Sequence, residues 1–190
     1  SLGGDFDIYK VPADGGVPTR LTHGAANKFA PNWSPDGREI SFYSTRYGPR
    51  NIFVMSADGN REVQVTSGPR EDYGAKWSPD GQSLLFTGRS PGTGARRLYV
   101  VTRGLDGRWG DAVRISPEDV RDVTFSATWL PDNHRIAFAT GRTVQLIDRS
   151  GGGITVLADS ATLAGTPREL RWVARDAAVY VKVVAKPVRI

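Results

Sequence analysis

The sequence has no cysteine, one methionine, two histidines and five lysines among its 190 residues. Without cysteine there is neither a disulfide framework nor a thiolate metal site, and reducing or oxidising surroundings are tolerated alike. His23 and His134 sit in different parts of the chain, so a metal site would have to use oxygen ligands. Asp5 with Asp7, or Glu71 with Asp72, offers such oxygens without the spacing of a calcium loop. No apolar run is long enough to cross a bilayer, because the best stretch, Ala177 to Ala185, is short and carries Lys182. Ser1-Leu2-Gly3-Gly4-Asp5 lacks the basic start and apolar stretch of a signal peptide, which fits a mature, trimmed or excised chain. The net charge of +5 rests on arginines scattered over the whole length. They form no stripe interleaved with aromatics, which argues against nucleic acid.

Tryptophan, proline, aspartate and glycine recur together. Trp33-Ser34-Pro35-Asp36-Gly37 returns as Trp77-Ser78-Pro79-Asp80-Gly81, decays to Trp129-Leu130-Pro131-Asp132-Asn133, and leaves a weak copy at Trp172-Val173-Ala174-Arg175-Asp176. The intervals of 44, 52 and 43 residues between these tryptophans mark a repeat of β units, the signature of a propeller whose sheets bury their faces only by stacking. Each Pro-Asp-Gly reads as a hairpin turn: proline presets φ, aspartate accepts backbone N–H groups, and glycine takes the positive φ. Alternating segments on either side give four strands per repeat over about 29–68, 73–118 and 125–159. The N-terminus supplies only third and fourth strands (5–22) and the C-terminus only first and second (169–184). The predicted fold is therefore all-β, one domain over 1–190, with four-stranded antiparallel blades and four blade-equivalents. The N-terminal half-blade would complete the C-terminal one, removing the open edges. A second reading keeps the chain as an arc of a larger ring, closed by a second copy or by further residues; the chain is a monomer if the ring closes and otherwise a homo-oligomer.

The Trp-Ser-Pro-Asp-Gly hairpins, together with Asp7-Ile8-Tyr9, Ala13-Asp14-Gly15-Gly16 and Arg20-Leu21-Thr22, resemble the TolB-type, WD-repeat-like β-propeller family over nearly the whole chain. That resemblance implies a bacterial propeller with no catalytic residues in its repeats, and leans towards the periplasm or the exterior. It covers proteins that engage partner proteins, propellers fused to oligopeptidases, and sensor or scaffold modules.

Gly88-Arg89-Ser90-Pro91-Gly92 fits the Gly-x-Ser-x-Gly pattern of serine hydrolases. A nucleophile elbow, however, needs a helix after the serine and an N–H on the next residue, and here Pro91 has none and a strand follows. Asp36, Asp80 and Asp132 share one place in a turn, which favours a backbone-bonding role over acid–base work. Trp33, Trp77, Trp129 and Trp172 read as packing between blades, with Gly37 and Gly81 as turn glycines. Asn32-Trp33-Ser34 matches a glycosylation sequon but lies in a strand. The glycines at 92 and 94 and at 151–153 lack the strand, helix and lysine context of a phosphate loop. No catalytic residue, metal or cofactor is expected.

What remains is a face. The second-to-third and fourth-to-first connections of every blade emerge together and are longer than the Asp-Gly turns opposite, and variable loops on a rigid scaffold are the usual seat of recognition. They carry Arg46, Tyr47, Arg50, Arg70, Tyr73, Arg89, Arg96, Arg121 and Arg142, of the residue types enriched at energetic centres of interfaces. Acids on the same loops mean that a partner meets both signs. The expectation is a non-enzymatic module that binds a protein or peptide there. The alternatives are an accessory propeller excised from an oligopeptidase-like serine hydrolase and a sensor or scaffold domain of a larger bacterial protein.

Overall fold

The computed structural model describes residues 5–120, 122–124, 126–173 and 178–185. These residues form sixteen strands, and no helix is present among them. The first complete blade contains β3 (Lys28–Trp33), β4 (Glu39–Ser44), β5 (Asn51–Ser56) and β6 (Val63–Gln64). The second contains β7 (Glu71–Trp77), β8 (Ser83–Arg89), β9 (Arg96–Thr102) and β10 (Val113–Arg114). The third contains β11 (Ala127–Trp129), β12 (Arg135–Ala139), β13 (Thr143–Asp148) and β14 (Thr155–Asp159). Each is an antiparallel four-stranded sheet in chain order. Two further antiparallel pairs flank them, β1 (Tyr9–Lys10) with β2 (Thr19–Arg20) and β15 (Gly165–Val173) with β16 (Ala178–Ala185). The architecture is a β-propeller of four blade-equivalents. Among the described residues no ladder joins β1 and β2 to β15 and β16, so the two halves stand as separate sheets.

The turns behave as their residues dictate. Ser34 Oγ donates to Asp36 Oδ1 (2.6 Å), which also accepts the Arg38 N–H (3.1 Å), while Ser34 Oγ accepts the Glu39 N–H (2.9 Å). The same net recurs at Ser78, Asp80, Gln82 and Ser83. Gly37 and Gly81 both take φ +70°, and Asn133 fills that place in the third copy at φ +62°, as asparagine does more readily than other non-glycine residues. At the outer strands of the N-terminal half-sheet and of the first two complete blades a hydroxyl closes the sheet. Thr22, Thr66 and Ser116 accept the N–H groups of Ile8, Ile52 and Leu98, at 2.9, 2.9 and 3.0 Å.

The core lies between sheets. Ile52 and Val54 of the first blade pack with Trp77, Leu84 and Phe86 of the second. Leu85 and Val100 on the other face of the second blade pack with Trp129, Ile136 and Phe138 of the third. The half-sheets dock in the same way, Ile8 and Leu21 on Ile40, Phe42 and Phe53 at one side, and Leu170, Val179 and Val181 on Leu130 and Ala137 at the other. Burying each such side chain stabilises by about 1.5–3 kcal/mol relative to exposure, so stacking, not the single sheet, holds the fold.

A polar contact accompanies every complete seam. Trp77 Nε1–H donates to Asn32 O (3.2 Å) and Trp129 Nε1–H to Lys76 O (3.1 Å). In both cases the acceptor is the residue just before the tryptophan of the preceding blade. Trp33 holds the same repeat position, yet 50% of it is exposed, against 8% of Trp77 and 6% of Trp129. Trp77 and Trp129 are thus enclosed at their seams, while Trp33, in the blade next to the half-sheet of β1 and β2, is half-exposed. Trp172 pairs through its backbone with Val179; its side chain lies outside what is described.

Candidate interaction face

The long loops bring four of the nine sequence-predicted residues, Arg50, Arg70, Tyr73 and Arg89, to the seam between the first and second complete blades. Arg50 Nη1 donates to Glu71 Oε1 (3.1 Å) and to the Tyr73 hydroxyl (3.2 Å), and Arg89 Nη1 donates to Glu71 Oε2 (3.1 Å). Tyr73 in turn donates to Glu71 Oε2 (2.6 Å), and the Arg50 guanidinium lies 5.2 Å from the Tyr73 ring centre. Two arginines thus share one carboxylate. The Tyr73 hydroxyl bond, with Arg89 and Arg50, holds the Glu71 carboxyl below its usual range, while burial and then Glu71 push the Tyr73 hydroxyl up.

Beside this cluster lies an open depression of about 510 Å³, lined by Pro49, Pro69, Pro91, Gly92 and Gly94 together with Glu71 and Arg89. Prolines and turn-bound glycines leave little freedom there. Ser90 N–H donates to Ala95 O (3.0 Å) and Gly94 N–H to Ser90 O (3.1 Å), so the Gly-x-Ser-x-Gly segment is a β-hairpin loop running into β9. Its first glycine serves Arg70: a Cβ on Gly88 would lie 2.5 Å from Arg70 Cδ and 2.7 Å from the Tyr99 ring.

Arg70 is drawn inward instead of outward. It bonds Asp72 through Nε (2.6 Å) and Nη2 (3.2 Å) and stacks 3.8 Å from the Tyr99 ring centre. Burial pushes the Asp72 carboxyl up, outweighing the opposing pull of Arg70. Glu71 and Asp72 are neighbours on a strand, so their side chains point to opposite faces and cannot converge on one ion. Asp7 is likewise committed, accepting from Thr22 (2.8 Å), Lys28 (3.1 Å) and Arg20. No group of three or more potential metal ligands occurs among the described residues.

The other predicted residues scatter. Arg46 pairs with Glu62 and lies 5.7 Å from the Phe53 ring centre, and Tyr47 rests on the same ring at 6.1 Å while remaining exposed. Arg96 lies 4.0 Å from Asp122. Arg142 is exposed and lines a second depression of about 430 Å³ with Asp119, Asp122 and Thr140 at the next seam. Arg121 lies outside the described residues. Sequence reasoning missed Arg97, which is buried and donates to Val120 O (2.6 Å) and Glu118 O (3.0 Å), fixing the connection to the third blade. It also missed Arg103, bonded to both oxygens of Glu39 (3.0 and 2.8 Å) and stacked 4.5 Å from the Trp109 ring centre. Both are single arginines in a chain rich in them, and no motif marks which ones turn inward. Among the described residues no helix is long and apolar enough to cross a membrane.

Comparison with known proteins agrees with this architecture. A TolB homolog of Chlorobium luteolum is 38% identical over 53 residues, which are 28% of this chain and 12% of that protein. A solved structure assigned to TolB of Agrobacterium tumefaciens matches 98% of this chain and 68% of its own at 25% identity, with a TM-score of 0.67. A puromycin-hydrolyzing peptidase of Mycobacterium tuberculosis matches 93% of this chain and 32% of its own at 15% identity, with a TM-score of 0.73, a likeness of fold alone. The chain therefore corresponds to a small part of the Chlorobium protein and a third of the peptidase. Residues 1–108, more than half the chain, match the family model of the TolB beta propeller domain, and the chain belongs to that family.

Proposed function

We propose that this propeller is a non-catalytic interaction module that takes a protein or peptide partner on its long-loop face, at the seam of the first and second complete blades. The observation that carries the reading is the sharing of Glu71 by Arg50 and Arg89. One carboxylate cannot neutralise two guanidinium groups, so one positive charge is left beside a depression walled by prolines. An acidic side chain of a partner would complete the pairing as a charge-assisted bond. Arg70, Arg46 and Arg96 support the scaffold through their own acids, and the working set narrows to Arg50, Tyr73 and Arg89. The test is a displayed library of random peptides, followed by calorimetry with the enriched sequences and their Asp/Glu-to-Asn/Gln versions. Enriched peptides should carry an acid, and Arg89→Ala should weaken them about tenfold, the loss of one charged hydrogen bond. Enrichment of no sequence, or binding indifferent to both Arg89→Ala and Arg50→Ala, would remove this reading.

The likeness to the puromycin-hydrolyzing peptidase favours a second reading, an accessory propeller that gates a hydrolase domain. A Gly-x-Ser-x-Gly elbow opening a helix elsewhere in the same reading frame would favour it over the first.

A further inference from the structure

We propose that the seam between the first and second complete blades carries, on the face opposite the long loops, a binding site for a small carboxylic acid with a short apolar body, independent of any partner on the long-loop face. The site is a depression of about 410 Å³, within the size range of small-molecule sites. All of its lining residues belong to these two blades. Its rim is built by equivalent turns, those that join the third and fourth strands of each blade. In the first blade Ser56 N–H donates to Asn60 O (2.9 Å), in the second Gly104 N–H to Arg108 O (2.8 Å), and in the third Asp148 N–H to Gly152 O (2.9 Å). The residue after each acceptor therefore holds one position of the repeat, occupied by Arg61, Trp109 and Gly153 in turn. Gly153 takes φ +63° and Arg61 φ +49°, so the first blade places an arginine in a left-handed conformation that suits glycine. Strained positions of this kind cluster at ligand sites. Arg61 and Trp109 both line the depression.

Charge selects the ligand's head. Three guanidinium groups, those of Arg61, Arg103 and Arg108, border the depression with one carboxylate, that of Glu39. Glu39 is already spent on Arg103 Nη2, which meets both of its oxygens across the seam (3.0 and 2.8 Å). Arg108 has only a loose contact with Asp106 at 3.9 Å, with both side chains more than half exposed, and water screens such a pair. Arg61 has no ion pair among the described residues. The positive charge left over asks for an anion. Apolar surface selects the ligand's body: the half-exposed Val63 and the partly buried Val65 and Trp109 flank the same space. The Trp109 ring is held in place by the Arg103 guanidinium, stacked 4.5 Å from its centre. A bare anion such as phosphate would leave that apolar surface wet, and a neutral molecule would leave the charge unmet. A carboxylate on a short aliphatic or aromatic body answers both, through charge-assisted bonds and apolar burial.

The test titrates the isotope-labelled chain with phenylacetate, its neutral amide and inorganic phosphate, and reads the indole N–H resonance of Trp109, identified by its loss in Trp109→Phe. Phenylacetate should shift that resonance saturably, while the amide and phosphate should leave it in place. Arg61→Gly gives the first blade the residue that the third already uses at this position, so it should keep or raise the melting temperature. The same variant should weaken phenylacetate about tenfold, the loss of one charged hydrogen bond. No shift with phenylacetate, or an equal response to the amide or to phosphate, would overturn the proposal. Undiminished binding by Arg61→Gly would overturn it as well.

Discussion

Two tryptophans in the same motif do different work, and that difference is measurable. Trp77 is enclosed by Ile52, Val54 and Phe86 and bonded to Asn32 O, so Trp77→Ala removes transfer energy and leaves a cavity, at a cost of about 3–5 kcal/mol. Trp33→Ala in the dilute chain should cost well under half of that, because half of the ring is already in water. Urea midpoints for the two variants check the order; equal losses would mean that Trp33 is covered in the dilute chain. A bulge tells a similar story about repeats that are alike without being identical. The first strands of the first two blades shift register between Phe29 and Asn32 and between Tyr73 and Lys76. The left-handed residue there is Ala30 (φ +49°) in one blade and Gly74 (φ +60°) in the other. Only glycine adopts that conformation without steric cost, so the first blade carries local strain that the second avoids.

At the level of elements, hairpin chemistry sets the acid stability. The turn aspartates Asp36, Asp58, Asp80 and Asp132 are all held below the ordinary carboxylate range. For Asp132 partial burial opposes the shift, but the N–H groups of Arg135 and His134 and the Arg135 side chain outweigh it and bring the carboxyl to about 2. A carboxyl with a lower pKa in the fold than in the unfolded chain adds stability above the unfolded value and loses it as pH falls through the folded one. Asp132→Asn should therefore lower the melting temperature at pH 7, and the gap to the parent should close between about pH 4 and pH 2. A gap that persists unchanged at pH 2 would show that the charge is irrelevant. These turns were legible in the sequence because proline, aspartate and glycine act within a few residues of one another. The face was legible only in part. Loop position put Arg50, Tyr73 and Arg89 on one face with six other residues and did not single them out; Arg70, in the same set, is turned inward by Asp72, two residues away in chain and buried by the stacking of blades. Pairing decided by tertiary neighbours leaves no local mark.

For the whole molecule, stability follows from the number of neighbours each sheet has. In a stacked array every sheet gains from its own strands and from the interface on each side. The complete blades were legible from the spacing of tryptophans, and so were the two halves, because every unit is delimited by its own local turns. The second complete blade is covered on both faces, by Ile52 and Val54 on one side and by Trp129, Ile136 and Phe138 on the other. Each half-sheet has packing on one described face only, through Ile8 and Leu21 or through Leu170, Val179 and Val181. Local opening free energies should follow that order, because segments with few buried contacts and solvent-exposed backbone open first. Amide exchange in the dilute chain should be slowest in β8 and β9 and fastest in β1, β2 and β16, with β12 and β13 between. Uniform protection across all sheets at the lowest concentration would mean that the half-sheets are already joined within one chain, and that cooperativity runs unbroken around the propeller.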